Sequence, residues 1–352
     1  MMTDTCNLRC PYCFANEFVN KDRNEITEEN FDKAVSFILG DGTQNRIGLI
    51  GGEPTTHSRF DYFLRKLIAN PKVESIVVYT NGILIDKYID LLCHSKVSLL
   101  INCNPPSDTG EKAFKRLCDN IRMMVEERLC KDKITLGINM YSPSFEYLYI
   151  LQMLKEYGFK HVRVSVTVPN YDAERNMDAH AYFNSMKPRV FEFFHALLAN
   201  EIIPNFDCNK IPVCLISEDE YHQFDKYIEA SVFLRENISR SNIGQTEVGC
   251  SPVIDIRQDL TAVRCFGLSE YTKTSIAGFD SIRSLELYYR NQVDVFAYNT
   301  VYSPKCVDCG KRKTLTCMGG CLAFKIAEIE KVRNYATKQM EKHICEEKVK
   351  SD

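Results

Sequence analysis

Between residues 46 and 166 the 352-residue chain repeats one unit: a nearly uninterrupted apolar run, a polar turn, then a segment with apolar residues every three or four positions. The runs fall at 46–50, 75–79, 97–103, 134–140 and 161–166, and the helical periodicities at 58–68, 86–93, 110–128 and 145–157. An apolar run without alternation reads as a strand buried on both faces. Strands alternating with helices at this spacing read as βαβ units, a parallel sheet covered by helices. Ahead of them a helix over 27–40 opens on Thr27 as N-cap, with Glu28 and Glu29 in its first turn. Counting residues 1–5 as a first strand gives about six βα units, fewer than the eight of a closed barrel. Ligands of parallel α/β sheets sit at the carboxyl ends of the strands, so each such end is a candidate site.

The first end leads into Cys6-Asn7-Leu8-Arg9-Cys10-Pro11-Tyr12-Cys13-Phe14, a polar loop and not a core segment. Iron–sulfur cubes are held by cysteine thiolates. Three thiolates leave one of four irons without a protein ligand, an open position like that of a catalytic zinc. The next strand ends at Gly51-Gly52-Glu53-Pro54. Two glycines allow close approach to the backbone, and a carboxylate beside them can accept from an ammonium group. Alone, this stretch would read as a turn. Thr80-Asn81-Gly82 follows the third strand, Asn102 and Asn104 end the fourth, and Asn139 ends the fifth.

Hydrophobic residues make up 45% of the chain and the formal charge is −3, without a basic block that would suggest nucleic acid. No apolar run reaches about 18 residues and no export signal opens the chain, so no membrane partner is expected. Sixteen cysteines are the outlier. Disulfide scaffolds are usually short and exported. Metal–thiolate chemistry in a reducing cytoplasm fits this chain better.

The C-terminal third concentrates these thiols. Cys250 and Cys265 flank a strand–turn–strand segment. Cys306 and Cys309, then Cys317 and Cys321, form close pairs, and Cys345 follows. A zinc ribbon is the rival reading of such pairs. Cys208 and Cys214 lie in a polar connector over 204–214, after a helix at 177–202. They read either as packed thiols or as one further cluster ligand. A helix at 217–234 leads to a Ser/Asn-rich edge at 239–242. Cys93, Cys103, Cys118 and Cys130 read as core residues, and His57 as a surface residue at a helix start.

The run CNLRCPYCF resembles the signature of the radical S-adenosylmethionine (AdoMet) enzymes, Cys-x3-Cys-x2-Cys with an aromatic before the last cysteine. The resemblance implies an α/β fold, a partial (β/α)6 TIM-like barrel. Cys6, Cys10 and Cys13 would hold a [4Fe–4S] cluster bound to AdoMet. Tyr12 and Phe14 would lie near the adenine, and Gly51, Gly52 and Glu53 at the AdoMet amino group. Asn102 and Asn104 stand where relatives have Ser-x-Asp, a region that contacts the AdoMet ribose or the substrate. The C-terminal array resembles a SPASM domain, a cysteine-rich extension with two auxiliary [4Fe–4S] clusters. By that likeness Cys250, Cys265 and Cys321 would hold the first and Cys306, Cys309, Cys317 and Cys345 the second, with Cys208 or Cys214 open as a fourth ligand to the first. This array departs from the family pattern in two places. Leu260 stands where a glycine is usual, and seven residues separate Cys309 from Cys317 where five are common.

The implied organisation is a barrel over 1–205, a connector and bridging helix over 206–249, and the SPASM-type extension over 250–352. The implied activity is reductive cleavage of AdoMet to a 5′-deoxyadenosyl radical, with an electron donor such as flavodoxin or ferredoxin. The radical would abstract a hydrogen from a peptide, in a maturase that crosslinks or dehydrogenates a ribosomally made precursor. No residues precede Met1 to form the leader-binding domain that many maturases carry, which counts against that reading. The alternatives are an oxidase of a small molecule, such as a sugar alcohol or amino acid, and a non-catalytic electron-transfer or zinc-binding protein. Three-cysteine ligation argues against the last, since carriers saturate their clusters with protein ligands. A sulfatase-maturing activity is disfavoured because Phe266, not an aspartate, follows Cys265.

Overall fold

The structure is a computed structural model that describes residues 1–13, 15, 18–167, 179–206, 209–244, 253–266, 272–295, 300–301, 303–314, 317 and 320–325. Six strands form one parallel sheet in chain order: β1 (Arg46–Leu49), β2 (Ser75–Thr80), β3 (Val97–Asn102), β4 (Ile134–Met140), β5 (His161–Val166) and β6 (Ile203–Phe206). Each strand is parallel to the next. α1 (Glu28–Leu39) precedes β1, and crossovers run through α2 (Phe60–Ala69), α3 (Ile89–Leu92), α4 (Pro106–Thr109), α5 (Glu111–Arg122), α6 (Leu148–Glu156) and α7 (Ala179–Leu198). Thr27 caps α1 by accepting from the Asn30 amide, as its position predicts. The segment read as one helix to residue 128 is α5 continued by a π-turn at Met123–Glu127.

The expected six strands are present in number, but two identities change. Residues 1–5 do not form a regular strand. Their bonds to the segment after β1 step unevenly, Gly52 N to Thr3 O (2.8 Å) and then Glu53 N to Thr5 O (2.8 Å), two residues on one side against one on the other. The sixth strand is β6, within what reads as irregular connector. Pro204 disguises it, because a proline cannot donate to a ladder; β6 lies at the sheet edge, where that is tolerated.

After β6 come α8 (Glu218–Ala230) and α9 (Val232–Asn237). Residues 239–242 are a capped 3-10 turn tied back to the sheet, with Asn242 Nδ2 donating to Pro204 O at 3.0 Å. A smaller antiparallel sheet follows: β7 (Asp255–Ile256), β8 (Thr261–Val263) and β9 (Thr274–Ser275). With α10 (Ile282–Tyr289) it encloses a second apolar core around Ala262, Ile276, Leu285, Tyr289 and Leu322, and Ala34 of α1 packs into it. The hairpin between β7 and β8 holds Leu260 at φ +64°, the left-handed region that favours glycine. A short helix, α11 (Gly310–Lys313), completes the described elements.

Candidate active site at the strand ends

Residues 2–4 pair antiparallel with 24–26, through Asp4 N to Asn24 O (2.9 Å) and Ile26 N to Met2 O (2.9 Å), and so close the loop that carries Cys6, Cys10 and Cys13. The segment also lies on the turn after β1. A Cβ on Gly51 would stand 2.7 Å from Thr3 O, and one on Gly52 2.4 Å from Thr5 O. Both glycines therefore make room for the chain's own backbone, where the sequence suggested room for a ligand.

The loop is bound to three successive strand ends. Glu53 follows β1, and its amide reaches Thr5 O. After β2, Asn81 Nδ2 donates to Asn7 Oδ1 at 2.6 Å. After β3, Asn104 Nδ2 donates to Cys10 Sγ at 3.1 Å, and the Tyr12 hydroxyl donates to Asn104 Oδ1. The buried Glu53 carboxylate knots β1 to β2. Oε1 accepts from Thr55 N (3.1 Å), Thr55 Oγ1 (2.5 Å) and Thr80 Oγ1 (2.7 Å), and Oε2 from Asn81 N (2.7 Å). Burial raises its pKa and these bonds oppose the rise.

Burial pushes the Cys6 thiol up to about 12, against the Leu8 N–H that donates to its sulfur at 3.4 Å; charge on Glu53, Cys10 and Cys13 adds to the rise. Cys10 is pushed up to about 11, first by burial and then by charge on Cys13. Burial raises Cys13 also. Burial thus disfavours the thiolate at all three sulfurs, an effect that metal coordination opposes because it deprotonates a thiol outright. Three half-buried thiols with N–H donors on two sulfurs are a donor set that fits an iron–sulfur cluster. Among the described residues no three His, Cys, Asp or Glu side chains converge on a single ion. Beside the loop a cavity of about 350 Å³ is lined by Cys6, Asn7, Arg9, Arg23, Asp108 and Thr109 among others.

Asn102, Gly137 and Arg163 are register partners across β3, β4 and β5. The glycine lets its neighbours approach over β4: a Cβ there would stand 3.0 Å from Arg163 Cδ and 3.5 Å from Asn102 Oδ1. Asn102 Oδ1 is buried with no hydrogen-bond partner. Arg163 Nη1 donates to Asn139 Oδ1 at 2.6 Å. The sequence reading missed Arg163, although a lone charge inside the apolar run of β5 is a signal. Tyr12 packs on Tyr141 at 5.1 Å between centroids, and Tyr141 OH donates to Asp108 at 2.8 Å. His57 is buried, not on the surface. Its Nδ1 accepts from Arg59 N at 2.9 Å, and Nε2 lies 3.2 Å from Ile26 O.

The described cysteines are all free thiols. Phe14, Cys208, Cys250 and Cys345 lie outside the described residues. Cys265 and Cys321 each pack against the second core. Cys306, Cys309 and Cys317 form a separate group, joined by Cys214: burial raises Cys306 to about 11, and charge on Cys214, Cys317 and Cys309 adds to it.

Residues 1–140 match the model of the Radical SAM superfamily, and the chain carries a radical SAM domain there. Over 92 residues it is 30% identical to the GTP 3′,8-cyclase of Chlorobaculum tepidum, covering 26% of this chain and 27% of that protein. Over 93 residues it is 33% identical to the GTP 3′,8-cyclase of Alkaliphilus oremlandii, covering 26% and 29%. The chain thus matches under a third of the length of these relatives. Among solved structures it is similar in fold to Streptococcus suis SuiB bound to S-adenosylmethionine, with a TM-score of 0.54, 16% identity, and coverage of 91% of this chain and 71% of that one. The complex of SuiB with precursor peptide SuiA gives a TM-score of 0.52, 16% identity, and coverage of 91% and 70%. No helix among the described residues is long and apolar enough to cross a membrane.

Proposed function

We propose that the chain is a radical AdoMet enzyme that crosslinks or dehydrogenates a ribosomally made peptide. The observation that carries this reading is the docking of the three-cysteine loop on the ends of β1, β2 and β3 through Glu53, Asn81 and Asn104. When bound, the cluster of Cys6, Cys10 and Cys13 supplies the electron that splits AdoMet into methionine and a hydrogen-abstracting 5′-deoxyadenosyl radical. The chain's own residues bind and orient. The Leu8 amide and the Asn104 carboxamide donate to two sulfurs and spread their charge. Glu53 Oε2 accepts one bond from Asn81 and retains a lone pair for the AdoMet ammonium group. Tyr12 and Tyr141 offer an aromatic wall for the adenine, and the unpartnered Asn102 Oδ1 an acceptor for a ribose hydroxyl. Over 250–352 the cysteines of a SPASM-type extension would hold auxiliary clusters, which would supply a one-electron acceptor. A flavodoxin or ferredoxin would serve as the electron donor.

The peptide reading is supported by the fold shared with SuiB, whose complex holds a precursor peptide. The test is anaerobic reconstitution with iron and sulfide, then dithionite, AdoMet and synthetic peptides encoded by short reading frames beside the gene. The expected result is 5′-deoxyadenosine together with a peptide lighter by two hydrogens. Without 5′-deoxyadenosine the reading fails altogether. If a sugar alcohol or GTP is consumed while every peptide stays intact, the substrate is a small molecule.

A further inference from the structure

We propose that Cys214 is the fourth thiolate of the metal centre formed with Cys306, Cys309 and Cys317, an iron–sulfur cube that ties the end of the parallel sheet to the C-terminal extension. This rests on the reading of the C-terminal array as cluster-bearing. Cys214 sits on a short 3-10 turn, Val213–Leu215, downstream of β6. The sequence places it near neither cysteine pair. The sequence-based expectation gives the fourth place here to Cys345.

Contacts through His180 and Ser303 bring Cys214 to this group, and the mutual electrostatic influence of Cys214 with Cys306, Cys309 and Cys317 accords with them. His180 of α7, itself buried, brackets the site: its Nε2 lies 3.4 Å from Cys214 Sγ and its Nδ1 2.9 Å from Ser303 Oγ. Ser303 opens the turn that carries the first cysteine of the pair, with Cys306 N donating to Ser303 O at 3.0 Å. The backbone continues from that turn with Cys309 N donating to Cys306 O (3.3 Å), and Cys317 N donates to Lys311 O (3.0 Å).

The charge around the group suits such a centre. Positive charge on Lys311 favours the Cys214 thiolate, and that on Arg312 the Cys306 thiolate. Four thiolates carry an excess of negative charge that two nearby cations offset. The sulfurs do not converge on a single ion among the described residues. A cube takes one thiolate per iron and so accepts sulfurs spread more widely than tetrahedral zinc does. Cys214 is also solvent-exposed, so its protection by a cluster can be read chemically.

The experiment compares iron and sulfide content of the reconstituted full chain with that of Cys214→Ser and Cys345→Ser, and maps alkylated cysteines by mass spectrometry. The expected outcome is that Cys214→Ser loses about four irons, one cube's worth, or retains a three-iron species visible by EPR. Cys345→Ser is expected to keep this centre. In the unsubstituted protein Cys214 should resist iodoacetamide when reconstituted and react after chelator strips the iron, a readout that survives even if the variant is insoluble. Equal labelling in both states overturns the proposal. So does full iron in Cys214→Ser with a loss in Cys345→Ser; both results leave the cluster-bearing reading standing. An unsubstituted chain that binds only about four irons overturns that reading and the proposal with it.

Discussion

Gly52→Ala tests whether the glycine pair serves the chain's own backbone. The added methyl would stand 2.4 Å from Thr5 O and 2.7 Å from Thr5 C, both backbone atoms that no rotamer change can move. Restoring ordinary contact displaces Thr5 by about 1 Å, given carbon–oxygen separations near 3.4 Å. That shift breaks the 2.8 Å bond from Glu53 N to Thr5 O, a loss of about 1 kcal/mol. Overpacking adds about 1–3 kcal/mol, and the stiffer unfolded chain returns about 0.4–1 kcal/mol. The expected net effect is destabilisation by about 1–3.5 kcal/mol. The control is Gly278→Ala, where nothing lies within 4 Å of the new methyl and the change should be neutral or slightly stabilising. The chain has no tryptophan, so urea unfolding of both apoproteins is followed by far-UV circular dichroism. Thr5 adjoins Cys6, and misplacement by about 1 Å can cost about 100-fold in rate. 5′-Deoxyadenosine formation by reconstituted Gly52→Ala should fall on that scale. Equal midpoints for the two variants, with Gly52→Ala cleaving AdoMet at the unsubstituted rate, would refute the reasoning.

Two further substitutions probe the loop. Cys10→Ala should abolish AdoMet cleavage while the apoprotein unfolds within about 1 kcal/mol of the unsubstituted chain, because a half-buried loop thiol leaves no core cavity; any cleavage at the original rate removes Cys10 from the ligand set. Asn104→Ala strands the buried Tyr12 hydroxyl, at about 1–3 kcal/mol. It also removes the N–H that donates to Cys10 Sγ, so the cluster's reduction potential should fall in an EPR-monitored titration; an unchanged potential would detach Asn104 from the cluster.

Local pattern carried most of the architecture. The strands at 75–80, 97–102, 134–140 and 161–166 are continuous apolar runs, and each is found where the periodicity puts it. β6 was hidden because its sequence, IPNF, is half polar or proline. An edge strand paired on one side needs no better. The cysteine spacing and GGEP announced the site, but the purpose of the two glycines did not show, since what they admit lies about fifty residues upstream. His57 reads as polar, hence exposed; both ring nitrogens in fact find backbone partners inside the protein. Cys214 depends on contacts between distant segments, which no local window contains; the lone charge of Arg163 stands out in β5, but its partner Asn139 does not.

The sheet order has a consequence for biosynthesis. Each strand pairs with the strand made just before it, so on a ribosome that releases about 5–20 residues per second the sheet can grow by addition at one open edge. The cysteine loop is the exception. It emerges first, yet its seat is built from Gly51 to Asn104, so for several seconds of translation its thiols have no fold to hold them. Delivery of iron and sulfide is therefore best matched to a stage after β3 has left the ribosome. Starving expressing cells of iron should leave a pool of chains with a formed sheet and reactive N-terminal thiols.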